Sequence, residues 1–195
     1  MTEGRAPQPA TDGAPMLAAA FPEAAELGAH LAEHRMTIAV AESCTGGLLG
    51  AVLTATAGSS TYVRGGIIAY ANDVKADQLG VGRHLLVTHG AVSAEVAMAM
   101  AEGASERFRA TIGVGITGVA GPDASEQKPA GLVFVAVAGL GSGQVVRLTR
   151  DLGREANRAS AVHAALRLCL EFVGRAGSDG EPDLLDGPPE GLPGE

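Results

Sequence analysis

Two stretches of this chain repeat one pattern: a short apolar run stops abruptly at small and hydroxyl-bearing residues. TIAVA (37–41) runs into Glu42-Ser43-Cys44-Thr45-Gly46-Gly47 and then into an apolar helix, LLGAVLTATA. TIGVGI (111–116) stops at Thr117-Gly118-Val119-Ala120-Gly121-Pro122-Asp123. Continuous short apolar runs rich in β-branched residues read as buried strands. A strand that turns through small residues into a helix is the common frame of α/β proteins, whose ligands lie outside the carboxyl ends of the strands.

The rest of the chain extends that frame. A first helix is predicted over 22–35, with Pro22 tolerated in its first turn and an apolar stripe through Ala25, Leu27, Leu31 and Ala32. Further strands are expected at 64–70, 131–138 and 144–149. A helix begins near Asn72 and carries Lys75, another follows Ser93 as its N-cap, and the last covers about 154–173. RHLLVTHG (83–90) reads as loop. Strands and helices alternate early and two adjacent strands come late, which predicts a three-layer α/β/α sandwich on a mixed sheet. Residues 1–19 and 175–195 have the Pro, Gly and acidic composition of disordered tails, leaving one domain over 20–174.

Composition then limits the core and the partners. Aromatic residues make up 3% and Trp is absent, yet 46% of the residues are apolar and 28 are Gly. Such a core is built of Ala, Val, Leu and Ile closely packed against glycine. A net charge of -8 argues against a general nucleic-acid binder, whose footprint is basic. No apolar run approaches the roughly 18 residues of a membrane helix, and the N-terminus lacks the order of a secretory signal, so the expected compartment is the cytoplasm. Cys44 and Cys169 form neither a disulfide framework nor a metal motif.

Ser43 stands where a strand should end and a helix begin. Glycines there admit close approach of a ligand, and helix-start amides favour negative charge. A nucleophilic serine would find its oxyanion donors beside it among Thr45, Gly46 and Gly47; this loop alone reads more readily as a plain helix cap at Ser43 or Thr45. Serine needs a base. His30, His34, His84, His89 and His163 each read more readily as structural or solvated. Lysine serves if burial keeps it neutral, and only Lys75 and Lys128 exist; from its position alone Lys75 reads more readily as an exposed helix charge. Cys44 is a rival nucleophile, ranked lower because the neighbouring side chain should point away from the same crevice. In the second loop, Thr117 and the amides of Gly118 and Ala120 could bind a phosphate or carboxamide, or the loop is a turn required only by the fold. Arg154 and Arg158, four apart on one helix face, could clamp a phosphate or simply be solvated. Neither loop carries P-loop or dinucleotide spacing.

Taken in order, AESCTGG (41–47), AGSS (57–60), YANDVKADQLGV (70–81), HGAVS (89–93), TGVAGPD (117–123) and KPAGLVFVAV (128–137) resemble the CinA C-terminal (PncC) family over about 20–174. The resemblance implies a nicotinamide-nucleotide amidase that converts nicotinamide mononucleotide and water to nicotinate mononucleotide and ammonia. It implies Ser43 as nucleophile and Lys75 as its base, with Tyr70 and Thr117 orienting the dyad or substrate, and no metal or other cofactor. The chain is then expected to be a stand-alone amidase without the N-terminal domain of longer members. The competing expectations are a non-catalytic pyridine-nucleotide-binding regulator, in keeping with the family's association with competence and DNA damage, and an amidase for another carboxamide. Tyr62, Tyr70 and Phe134 are the candidate aromatics for stacking on a pyridine ring. A small Ala/Gly-rich domain of this kind could pair through a helix face as a homo-dimer.

Overall fold

A computed structural model describes residues 17–125 and 127–178. Among these residues, five strands form one mixed sheet in the order β2-β1-β3-β4-β5. Strand β1 (Ile38–Glu42) lies parallel to β2 (Val63–Ile68) on one side and to β3 (Ile112–Gly118) on the other. Strands β4 (Val133–Gly139) and β5 (Ser142–Leu148) then add in antiparallel sense. They are joined by the two-residue turn Leu140-Gly141, where φ is positive at both positions, the turn geometry that matches strand twist.

Helices cover both faces, as the sandwich reading expects. On one side lie α2 (Glu23–Glu33), α3 (Leu48–Thr54) and α7 (Arg154–Ser178); on the other lie α4 (Asn72–Leu79), α5 (Arg83–Thr88) and α6 (Ala94–Phe108). The faces differ in texture because strand residues alternate. Ile38, Val40, Ile112, Val114, Ile116, Val133, Val135 and Val137 join the large core beneath α2, α3 and α7. Ala39, Ala41, Gly113, Gly115, Ala136 and Ala138 face the other way, toward α6. A Cβ on Gly113 or Gly115 would collide with the backbone of α6 at Ala101 and Ala97. The glycines of β3 therefore set how closely that helix approaches, and the scarcity of aromatics is the compositional trace of this packing.

Several expected boundaries move. The stretch 83–90, read as loop, contains helix α5, whose Leu85 and Leu86 pack against the α6-side core. Helix α3 ends at Thr54 rather than near Ala57: the Thr54 hydroxyl donates to Gly50 O at 2.8 Å in the last turn, and the chain turns at Gly58 (φ 85°) into the 3-10 turn Ser59–Thr61. Ser93 caps α6 as expected, accepting from Val96 N. Residues 1–16 and 179–195, expected as tails, lie outside the described residues. Leu17–Ala20, partly assigned to the first tail, form a helical turn, α1, of good helix formers, and α7 continues past 174 to Ser178.

The order of the strands places the site. From β1 the chain crosses by α3 to β2, then returns over the opposite face through α4, α5 and α6 to β3. The connections leave β1 on one face and reach β3 from the other, which opens a crevice at the carboxyl ends of these two strands.

Candidate functional site

The ends of the three parallel strands are locked side by side by single main-chain bonds. Ser43 N–H donates to Ile116 O at 2.9 Å and Ala69 N–H donates to Glu42 O at 2.7 Å. Lys75, one turn into α4, reaches back over this edge. Its Nζ donates to Ala69 O (2.8 Å), Tyr70 O (3.1 Å) and Ser43 Oγ (3.2 Å). The lysine is 1% exposed and the serine 8%, so the reading of Lys75 as an exposed helix charge is overturned. Tertiary packing, with α4 lying against α6 and the sheet, withdraws it from water.

Both side chains line a cavity of about 230 Å³, together with Tyr70, Ala91, Val92, residues 117–121 and Arg154. None of the five histidines lines it. His30 stacks on His34, His89 meets Glu95, and His163 meets Glu23. Lysine is thus the basic side chain within reach of Ser43. Lys128 sits elsewhere, donating to His89 O and Val92 O and so bracing the segment that carries Ala91 and Val92. Tyr70 is the aromatic side chain on the cavity, 59% exposed. Tyr62 is buried against Gly28, and Phe134 lies beneath Arg147. Cys44 lines the cavity, contrary to the expectation that it would point away, yet it packs in the core. Burial pushes its thiol up to about 11, with Glu42 adding to the rise and Lys75 and Arg158 opposing it.

The turn behind Ser43 differs from the expected anion cradle. The amide of Gly46 donates to Ser43 O (3.1 Å). The Glu42 carboxylate, 1% exposed, accepts from Gly47 N (3.1 Å), Leu49 N (3.1 Å) and Gly50 N (2.8 Å). A carboxylate from within the chain thus occupies the first turn of α3, where the helix dipole would otherwise favour a ligand anion. Thr45, Gly46 and Gly47 lie off the cavity lining; Thr45 is fully buried and its Oγ1 meets no partner among the described residues. Glu42 received no role in the sequence reading. The available signal was an acid closing an otherwise apolar strand, a residue type seldom buried unless it is partnered.

The two arginines part company. They share a helix face but stand one turn apart, about 5.4 Å along the axis. Arg154, at the start of α7, lines the cavity, donating through Nη1 to Gly121 O (2.8 Å) and lying 3.4 Å from the Tyr70 hydroxyl. Arg158 is a turn further along, where it grips Thr45 O through Nε (3.2 Å) and Nη2 (2.8 Å). It lies off the cavity and holds the nucleophile turn, so its expected role as a phosphate clamp is not met. Thr117 and Gly118 prove to be the last residues of β3. The Thr117 hydroxyl donates to Ala91 O (2.7 Å), which commits its proton while leaving the residue on the lining. Asn157, between the arginines, was missed: it is 3% exposed and donates to Ala120 O. No signal in the sequence distinguishes it from the polar residues around it on α7.

Fold and site together define a three-layer α/β protein with a buried serine–lysine pair at the carboxyl ends of its parallel strands. The chain belongs to the CinA family: the model of the CinA C-terminal domain matches residues 21–173. A CinA-like protein of Gemmatimonas aurantiaca is 52% identical over 146 residues, covering 74% of this chain and 34% of that protein. The chain thus spans about a third of the length of this curated relative. The crystal structure of a competence/damage inducible protein from Agrobacterium tumefaciens is similar at TM-score 0.72 and 40% identity, over 79% of this chain and 98% of that one. A CinA superfamily protein of Escherichia coli gives TM-score 0.76 at 31% identity, over 78% and 90%. Among the described residues no helix is long and apolar enough to cross a membrane.

Proposed function

We propose that this domain is an amidohydrolase that deamidates nicotinamide mononucleotide through a serine nucleophile and a lysine base. The observation that carries the reading is the 3.2 Å approach of Lys75 Nζ to Ser43 Oγ on the lining of the cavity. A serine becomes nucleophilic when a positioned base removes its proton, and burial of a lysine disfavours its charged form, the direction a lysine base requires. Ser43 Oγ attacks the carboxamide carbon while Lys75 takes the hydroxyl proton. The tetrahedral oxyanion then needs donors other than Gly46 and Gly47, whose amides are engaged. The Cys44 amide, next to the nucleophile in the chain, is the proposed donor. Lys75 returns the proton to departing ammonia, and water cleaves the acyl-enzyme. In this reading Tyr70 fixes Lys75 through its carbonyl and offers its exposed ring to the pyridine.

One observation favours the competing reading of a pyridine-nucleotide-binding regulator. Lys75 Nζ also donates to two main-chain carbonyls, and such acceptors stabilise an ammonium. Ammonia release from nicotinamide mononucleotide separates the two readings. Turnover by the wild type that is absent in Ser43→Ala and Lys75→Met is the expected result; binding without turnover in the wild type supports the regulator.

A further inference from the structure

Residues 89–92 join α5 to α6 and belong to no helix or strand. Two of them, Ala91 and Val92, are nevertheless buried and form part of the cavity lining. The carbonyls of this strip are held by three side chains. Ser93 Oγ donates to Gly90 O (3.1 Å), and Thr117 Oγ1 donates to Ala91 O (2.7 Å). Lys128 Nζ serves two carbonyls, His89 O (2.9 Å) and Val92 O. An ammonium carries three donors on a flexible stem, and its bonds are stronger than those of neutral donors. One residue can therefore hold both ends of the strip.

Lys128 is fixed at its own backbone as well. Its N–H donates to Ser125 O (2.8 Å), and its carbonyl accepts from Ser125 N–H (3.0 Å), closing a tight turn. Ser125 is also on the cavity lining, whereas Lys128 is not. One side chain thus ties together two lining segments that are distant in the chain, since Lys128 and Val92 stand 36 residues apart. At the far end of this tie Val92 packs with Val119 and Leu132 in a small apolar cluster, and Val119 lines the cavity too.

We infer that Lys128 is a positioning residue for the reaction: it sets the Ala91–Val92 strip against the Ser125 turn and so fixes the shape of the cavity that receives the substrate. It acts through the wall and not on the reacting atoms. Without it, the strip keeps only the carbonyl bonds from Ser93 and Thr117. A substrate held for attack loses rate steeply when its surroundings shift by about an ångström. The inference rests on the amidase reading for the reaction, and on the geometry of the wall for the brace itself.

The test uses the full chain carrying Lys128→Met, which keeps an apolar stem and removes the ammonium. Hydrogen exchange read by mass spectrometry is expected to quicken over 89–93 while α6 beyond its first turn stays protected. The value of kcat/KM for nicotinamide mononucleotide is expected to fall by about tenfold to a hundredfold. Titration calorimetry with nicotinamide mononucleotide and nicotinamide riboside then identifies the cause. Both affinities are expected to fall by about three- to tenfold at unchanged stoichiometry, as loss of a preorganised wall entails. A lowered stoichiometry at unchanged affinity would make Lys128 a folding residue only and overturn the inference. So would a loss confined to the mononucleotide, which is what removing a cation near an anionic ligand produces. Unchanged exchange over 89–93 would overturn it as well. If melting shows that Lys128→Met is unfolded, Lys128→Gln carries the test, because its shorter amide cannot serve both carbonyls. A wild type that binds both probes but releases no ammonia defeats the amidase reading, and the brace then stands or falls on the two affinities.

Discussion

The two loops that follow β1 and β3 look alike in composition, each a hydroxyl residue and glycines behind a buried strand, but they are built in opposite senses. After β1 the amides are consumed from inside the protein: Glu42 takes those of Gly47, Leu49 and Gly50, and Arg158 grips the Thr45 carbonyl. After β3 the carbonyls are consumed, by Gly131, Asn157 and Arg154, and the amides of Ala120 and Gly121 remain. The first loop is a rigid mount for a side chain; the second offers its main chain. A glycine-rich strand end does not by itself say which it is, because the partner of each peptide group decides.

Breaking the first loop at its chemistry should have the largest effect. Ser43→Ala and Lys75→Met are each expected to lower kcat for nicotinamide mononucleotide by at least about a thousandfold, on the scale of removing one member of a catalytic unit. Stopped assays of ammonia would show it, while ligand binding to Ser43→Ala persists. The mount itself is the next test. Glu42→Gln puts an amide NH2 against α3 donors, and leaving such buried groups unsatisfied costs about 1–3 kcal/mol. Urea unfolding should register that loss, and kcat should fall with KM nearly unchanged, because the displaced atom is the nucleophile. Full activity in Glu42→Gln would mean that the turn needs no internal carboxylate.

The second loop should respond in the other parameter. Gly121→Ala forces a side chain onto a positive φ, a strain of about 1–2 kcal/mol, and is expected to raise KM for the mononucleotide more than it lowers kcat. A drop confined to kcat would place the catalytic donors there instead and merge the two roles. The smallest effect is expected at Cys44. Burial pushes its thiol up to about 11, so it is protonated at neutral pH and unsuited to attack. Cys44→Ala should keep turnover within about threefold, in keeping with a small change of packing. Because the folded thiol binds its proton more tightly than the unfolded one, its contribution to stability is intact at neutral pH and is lost as pH rises through about 9 toward 11. Unfolding of Cys44→Ala should show a shallower decline over that window.

The individual candidates of this site were legible beforehand, but not their pairing. The residues alone favoured a helix cap at Ser43 and an exposed charge at Lys75, and it was the resemblance to the CinA C-terminal family that implied the pair, which stands 32 residues apart in the chain. Arg158 was misplaced because helical spacing reports which residues share a face, not what each turn of that face meets. Helix α5 was missed because its six residues carry no capping side chain, and packing of Leu85 and Leu86 against the α6-side core supports it. Glu42 was visible as an acid closing an apolar strand and was passed over.

By itself, the sequence determined the mixed sheet, the run of its five strands along the chain, the small-residue texture of the core and the presence of a hydroxyl at each loop. These are local properties: burial period, turn chemistry and side-chain volume are written within a few residues of each other. Only the tertiary structure decided that Lys75 is withdrawn from water onto Ser43 and that Asn157, 37 residues from Ala120, holds that carbonyl. A peptide group's direction follows from whichever distant donor or acceptor packing brings to it, and no spacing along the chain encodes that choice.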